Sequence, residues 1–483
     1  MLRSGLANAH EQPRPITLRI LNGSFPDGLR GSLYTLGPGR FDIKYNVQRE
    51  LEQATQTFTF GNLMDALPLL GNTRSPGALY QTDTNQTFLN MFIPKGAHYN
   101  TSEGECCNQD IQLFMPLQGS TQNIVTANHM GAVQNLDPED LRPRSVLELK
   151  DINQLFKAHL SSAHMQYDAN TREYFTVTQD VGFRSTTYNV VAISEAHPEG
   201  YVVANFFAQA SVMHSFSITQ DYIIVPVYPY ASPIGGNYRW GDSLLESLAF
   251  APNQPVQFYV ISREYRRVQC VYEAPSFFAL HQINAVQESA TDSVMIDLVA
   301  YEDDTILRKL RVKQLRHPST GYFLPSGQVR RYQLNGITME AAKFVESRGR
   351  TAVVPPAHMT ILRPEPIELP RINPVFDLKP YKLCGLAAHM NTNTMYNCIV
   401  KIDTNDPMVS PLVWHRKGCY PSEPVFVPKS DNEDDGYLLS VFFDSTLIKS
   451  CLLVLDSKTL EELTIAELPS AVPISFGHAK FAI

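Results

Sequence analysis

Four histidines in this sequence sit in, or at the edge of, segments with strand character. They are His164 in "SSAHMQYDANTREYF", His214 in "ASVMHSFSITQDYIIV", His281 in "FFALHQINAVQE" and His478 in "ISFGHAKF". A neutral imidazole can carry a proton or give a nitrogen lone pair to a metal. None of the four belongs to a local HxH or HExxH pair, so no single stretch of chain builds a metal site. Two readings stay open for each residue. One is a satisfied core or rim histidine. The other needs four separate strands to bring their imidazoles to one point. Such a set would suit a borderline divalent ion such as Fe(II), which accepts two further ligands.

Strand periodicity predicts which way these side chains point, because alternate residues share a face. His214 shares one with Val212, Phe216 and Ile218, and His281 with Ala279, Ile283 and Ala285. His478 shares one with Ile474 and Phe476, whereas the neighbours of His164, Ser162 and Gln166, are polar. Ligating histidines hand their second N–H to a carboxylate or carbonyl, which fixes the tautomer. Two acids stand in apolar, proline-bounded settings suited to receiving it. These are Glu368 in "PIELPRINP" and Glu423 in "CYPSEPVFV". A loop or edge role is the plain alternative for both. The run "SDNEDDGYLL" (Ser430 to Leu439) reads instead as a solvated acidic turn ahead of a strand.

Elements able to gather residues so far apart in sequence must be many and short. "REYFTVTQ", "YVVANFFAQ", "DYIIVPVY", "SVMIDLVAY", "YLLSVFF" and "SCLLVLDS" are β-branched or aromatic runs bounded by turn residues. Helical signals are few: "SLLESLAF" near 243–250 and "TMEAAKFVES" near 338–347. This pattern predicts an all-β fold. No fixed-period repeat is present, and the 2 tryptophans exclude the commonest propeller repeats. A propeller with degenerate blades stays open, and its axis is a place where the innermost strands of several blades face one channel. No linker divides the 483 residues, so they are read as one domain. Excursions are expected within 45–110 and 228–252, where strand patterning lapses.

Composition narrows the function classes. Apolar residues make up 43%, enough for a large core, and the formal net charge is −8 with no basic tract, which argues against nucleic acid. No apolar run reaches transmembrane length and the N-terminal stretch lacks a signal-peptide core, so a cytoplasmic protein is expected. The 7 cysteines are scattered and read as reduced thiols; Cys106 and Cys107 are adjacent and lack zinc spacing.

Several separated segments resemble the carotenoid cleavage oxygenase family. They are "FPDGLRGSLYTLGPGRFD", "AHMQYDANTREYF", "MHSFSITQDYIIV", "FFALHQINAVQE" and, longest, "YPSEPVFVPKSDNEDDGYLLSVFFD" followed by "VLDSKTLEELTIAELP". The resemblance runs from about residue 22 to the C-terminus and thins between about 45 and 120. It implies a seven-bladed β-propeller with a cap of loops and short helices over one face, the cap falling within 45–120 and 228–252. It implies Fe(II) on the axis, held by His164, His214, His281 and His478, with outer carboxylates at Glu368 and Glu423. The implied reaction is cleavage of a carbon–carbon double bond by O2, giving two carbonyl products. A carotenoid, apocarotenoid or related polyene or terpenoid is the implied substrate. The alternatives are a non-cleaving isomerase or hydrolase of the same family, or a non-catalytic propeller that binds a partner. An apolar substrate partitions into membranes, so peripheral membrane contact is an expectation, with "MDALPLL" and "FFAL" as candidate segments that read first as core. The oligomeric state is not set by the sequence.

Four departures from the family pattern stand out. A third outer-shell acid, counted back from Leu136-Asp137-Pro138, falls on His129. The lysine that precedes it in the stilbene-cleaving branch is replaced by Asn128, which disfavours a phenolic stilbene, and "TAN…QNLDP" looks more like the fungal torulene-cleaving branch. The stretch "TFTFGNLMDALPLL" replaces a family motif near the cap, so regioselectivity is not inherited with the fold. Finally, His478 is the fifth residue after Pro473, where the family places its histidine fourth. A one-residue shift turns a strand side chain to the opposite face, so His478 serves only if a bulge corrects its direction. No other histidine follows His415, in "VWHRKGCY", which keeps His478 as the candidate.

Overall fold

Short β-branched and aromatic runs broken by turn residues fold here as antiparallel meanders. The computed structural model describes the chain except for residues 1, 10–15, 36–37, 41, 50–51, 60–66, 69–110, 115–123, 129–131, 137–142, 157, 159, 182–184, 232–247, 311, 326, 348–352, 389–394, 475–478 and 483. Mostly by pairing of strands adjacent in sequence, though Leu160–Ser161 and Gln166–Asp168 both pair with Glu173–Val181, five sheets follow one another along the chain. They occupy 111–148, 160–208, 217–274, 278–363 and 367–415, and are called here the first to fifth blades. The sixth spans 419–467 and takes Arg19–Gly23 as its outermost strand. The seventh is short among the described residues: Ser32–Thr35 paired with Ala479–Ala482. The six expected strand segments all form, and "SVMIDLVAY" matches Ser293–Tyr301 end to end.

Contacts between sheets close a ring. Phe156, in the turn leaving the first blade, packs with Val133 of that blade and Val191 of the second. Tyr201–Ala208 touches Arg267–Ala274, Ser217–Ile218 touches Phe278–Glu288, and Phe278–Glu288 touches Ile367–Arg371. Cys398–Asp403 meets Cys419–Pro421, Val425–Pro428 meets Ala479–Ala482, and Ala479–Ala482 meets Ile111–Phe114. Seven sheets in a closed ring make a seven-bladed propeller, as expected. Arg19–Gly23 and Ser32–Thr35 complete the sixth and seventh blades by pairing with strands far later in the sequence, which locks the ring.

The core lies between blade faces. Phe175, Val177 and Tyr188 of the second blade pack with Ile223, Val225 and Ile261 of the third, all essentially buried. Each such side chain contributes about 1.5–3 kcal/mol of burial. The "FFAL" segment, Phe277 to Leu280, is buried in the same way and is core, not a membrane contact. Most of "MDALPLL" lies outside the described residues.

Helices are few. The expected one forms as Ile337–Glu346, resting on the outer strand of the third blade. Its N-terminus is capped from outside: the Asp292 carboxylate accepts the Thr338 N–H and hydroxyl, each at 2.9 Å. The helix expected near 243–250 is contradicted at its end, where Ala249–Phe250 is a strand paired with Tyr230–Ala231; 232–247 lie outside the described residues. Leucine spacing suggested a helix, and pairing to a neighbouring strand overrode it. Two further short helices, Thr305–Lys309 and Val312–Arg316, fill the connection between the second and third strands of the fourth blade. Of the expected cap regions, 45–120 falls mostly outside the described residues. The acidic turn at 430–436 is more than a solvated loop. Glu433 Oε1 accepts the Lys382 and Leu383 N–H groups at 2.7 Å each, and Asp434 pairs with Lys401, tying the fifth blade to the sixth. Cys270, Cys398, Cys419 and Cys451 are buried and form no disulfide.

Candidate metal centre

The first strands of successive blades are the innermost, and the candidate residues lie on them or beside them. His164 lies in the bend between Leu160–Ser161 and Gln166–Asp168 of the second blade. His214 lies just ahead of Ser217–Ile218 of the third, and His281 within Phe278–Glu288 of the fourth. Glu368 is on Ile367–Arg371 of the fifth, and Glu423 stands between Cys419–Pro421 and Val425–Pro428 of the sixth. His478 immediately precedes Ala479–Ala482 of the seventh, but is outside the described residues, as are His129 and any bulge that redirects His478.

Simple alternation does not describe these strands. His214 is in irregular backbone, and Met213, expected to face away from Phe216 and Ile218, is buried in one cluster with both. In the His281 strand the register slips twice against Ser293–Tyr301, between Ala279 and Gln282 and again between Gln282 and Asn284. Leu280 and His281 therefore face Val299 together, a bulge that re-aims the side chain. Regular alternation between His281 and its neighbours Ala279 and Ile283 is interrupted there.

Three imidazoles meet. His164, His214 and His281 offer ligand atoms that all lie within 4.8 Å of one another. His164 Nε2 and His214 Nε2 are 3.0 Å apart. The ring centroids are 4.7, 5.1 and 5.0 Å apart and every pair meets edge-on. His214 and His281 are buried and His164 is half-buried. The backbone links two of the carriers, since His164 N–H donates to the His214 carbonyl at 3.0 Å.

Glu368 stands where an outer-shell acid was expected. Its Oε2 lies 2.5 Å from His281 Nδ1 and accepts its own neighbour's N–H, from Leu369, at 2.6 Å. Oε1 accepts the Tyr301 hydroxyl at 2.9 Å. With Nδ1 committed to the carboxylate, His281 presents Nε2 to the cluster. Leu369 holds φ 54°, a left-handed conformation unusual for a leucine, and this turns its N–H back onto Glu368. Burial, and next the Glu368 charge, push the Tyr301 hydroxyl well above the ordinary tyrosine range, so it stays a donor. Neither Tyr301 nor Leu369 was picked out from sequence. A strand-ending tyrosine and a leucine between Glu and Pro carry no signal until the blades are assembled.

Glu423 serves a different neighbour. Its Oε2 accepts the N–H of Ala479, the residue after His478, at 3.0 Å. Its Oε1 lies 2.8 Å from Arg371 Nε, as an ion pair without hydrogen-bond alignment. Burial works against the Arg371 charge and the Glu423 carboxylate outweighs it, so Arg371 is held above its usual range.

Two of the three donors stand at the spacing a first-row divalent ion requires. Imidazole nitrogens sit about 2.1 Å from such an ion, so two of them at right angles stand about 3.0 Å apart. That is the separation of the His164 and His214 Nε2 atoms. Imidazole nitrogens, one of them oriented by a carboxylate, suit iron, cobalt or zinc better than calcium or magnesium.

Comparison with known proteins agrees with this layout. The family model described as retinal pigment epithelial membrane protein matches residues 6–482. The torulene dioxygenase of Fusarium fujikuroi is 25% identical over 386 residues, 74% of this chain. This chain spans 65% of that relative's length. The mitochondrial carotenoid-cleaving dioxygenase of Mustela putorius furo is 24% identical, with 99% of this chain and 95% of the relative covered. Among solved structures, a Synechocystis apocarotenoid oxygenase mutant superposes with a TM-score of 0.68 at 18% identity, covering 99% of this chain and 98% of the other. The family match over nearly the whole length, on a seven-bladed ring with three imidazoles at one point, places the chain: it belongs to the carotenoid cleavage oxygenases, the family of the retinal pigment epithelial membrane protein.

Proposed function

We propose that this chain is a non-haem Fe(II)-dependent dioxygenase that cleaves a carbon–carbon double bond of an apolar conjugated substrate. The leading substrate class is a carotenoid or apocarotenoid, as the names of the torulene dioxygenase and carotenoid-cleaving dioxygenase relatives suggest. The observation that carries the reading is the convergence of His164, His214 and His281, with Glu368 behind His281. His478 completes the proposed ligand set, with Glu423 fixing the backbone next to it.

Bound there, Fe(II) would supply a redox-active centre for O2 beside the alkene. The protein's own groups do the rest. Glu368 holds the His281 proton on Nδ1 and turns Nε2 toward the other two imidazoles. Tyr301 and the Leu369 N–H fix the carboxylate so that the imidazole cannot swing. Burial of the His214 and His281 rings limits bulk water at the reacting centre. In the balanced reaction the double bond breaks and each of its carbons takes one oxygen atom of O2, giving two carbonyl products.

The apolar substrate implies a contact with membrane surfaces, which is part of the proposal. No helix among the described residues is long and apolar enough to cross a membrane. The Fe(II)-loaded protein, incubated aerobically with a panel of polyenes, is expected to yield two shorter carbonyl fragments from one substrate, identified by mass. A single product with an intact carbon skeleton would replace cleavage by isomerisation or hydrolysis.

A further inference from the structure

The backbone around His281 carries a device that the metal reading alone does not account for. The bulge places Leu280 and His281 together opposite Val299, so the ladder to Ser293–Tyr301 cannot serve the polar groups on both sides of His281 in the regular way. One side chain serves them from the neighbouring blade. Ser215 Oγ donates to the Leu280 carbonyl at 2.5 Å and accepts the Gln282 N–H at 3.1 Å. Ser215 follows His214 directly in the chain and is itself buried. One hydroxyl thus connects the residue after one candidate ligand to the residues on both sides of another.

We propose that Ser215 is the positioning residue that sets the distance and angle between His214 and His281. This rests on the metal reading above. The chain of attachments is short: His164 N–H holds the His214 carbonyl, and Ser215 holds the bulge that carries His281. Glu368 fixes the rotation of the His281 ring but not the place of its backbone. Without the hydroxyl, a buried carbonyl and a part-buried N–H lose a partner and the bulge is free to relax along the strand. The two nitrogens then no longer stand where one ion can take both.

Ser217 provides the control. It lies two residues further along, is equally buried, and also crosses to the fourth blade, but its hydroxyl bonds the Gln282 side chain at 2.9 Å rather than the backbone at His281. Full-length wild type, Ser215→Ala, Ser215→Cys and Ser217→Ala are titrated with Co(II) against a competing chelator, following the visible ligand-field spectrum. Melting of the metal-free proteins is measured alongside. Ser215→Ala is expected to bind Co(II) about tenfold more weakly, the usual effect of losing an outer-shell partner, with an altered spectrum. Ser215→Cys, with similar shape and a weaker donor, falls between. Ser217→Ala melts lower than wild type but keeps its affinity and spectrum. If Ser215→Ala matches Ser217→Ala in affinity and spectrum while wild type binds tightly, the positioning role is wrong and the metal reading stands. If wild type itself binds no Co(II), both are overturned.

Discussion

Glu368 uses both carboxylate oxygens on donors: His281 Nδ1 and Leu369 N–H on one, the Tyr301 hydroxyl on the other. An amide of the same shape cannot accept from both sides, because its NH2 group must point at a donor. Glu368→Gln is therefore expected to fold but to weaken Fe(II) or Co(II) binding about 10- to 100-fold, read by chelator competition. Unchanged affinity would remove Glu368 from the outer shell. At this scale the sequence was readable where chemistry is rare by type. Histidines inside strands and acids between prolines pointed to His164, His214, His281, Glu368 and Glu423. Tyr301, Leu369 and Ser215 were not readable, since a tyrosine, leucine or serine in a buried strand is ordinary until its partner from another blade is known.

Blades are joined by polar ties as well as by apolar faces. In the fourth blade Asp297 stands directly across from Arg331 and receives its Nε and Nη2 groups, each at 2.7 Å. Tyr381, between the first two strands of the fifth blade, donates to the same carboxylate at 2.8 Å. The Asp297 hydrogen bond, acting against burial, holds the Arg331 guanidinium above its usual range. Asp297→Ala leaves a partly buried charge and a buried hydroxyl without their acceptor. It is expected to cost about 3–5 kcal/mol in urea unfolding; a loss within experimental error would show that this tie does not join the blades. Strand positions were legible at this scale because alternation and turn residues mark them locally. Bulges were not. The two register slips in Phe278–Glu288 interrupt the alternation around His281, and nothing in "FFALHQINAVQE" announces them. The segment at 249–250 failed for a related reason, as pairing with Tyr230–Ala231 decided what propensity could not.

The metal centre is a property of the whole ring. Its proposed ligands come from the second, third, fourth and seventh blades and its acids from the fifth and sixth, so closure by Arg19–Gly23 and Ala479–Ala482 must precede assembly of the site. The family resemblance, carried by motifs spread along the chain, conveyed this architecture; composition and strand spacing alone reached only an all-β fold. The central claim is that imidazoles from separate blades hold a single iron. The most direct test is the iron content of aerobically purified, Fe(II)-reconstituted wild type beside His214→Ala and His281→Ala, each checked for native folding. The account predicts stoichiometric iron in wild type and essentially none in either variant. Full iron retention by a folded variant, or a folded wild type that cannot be loaded, would contradict it.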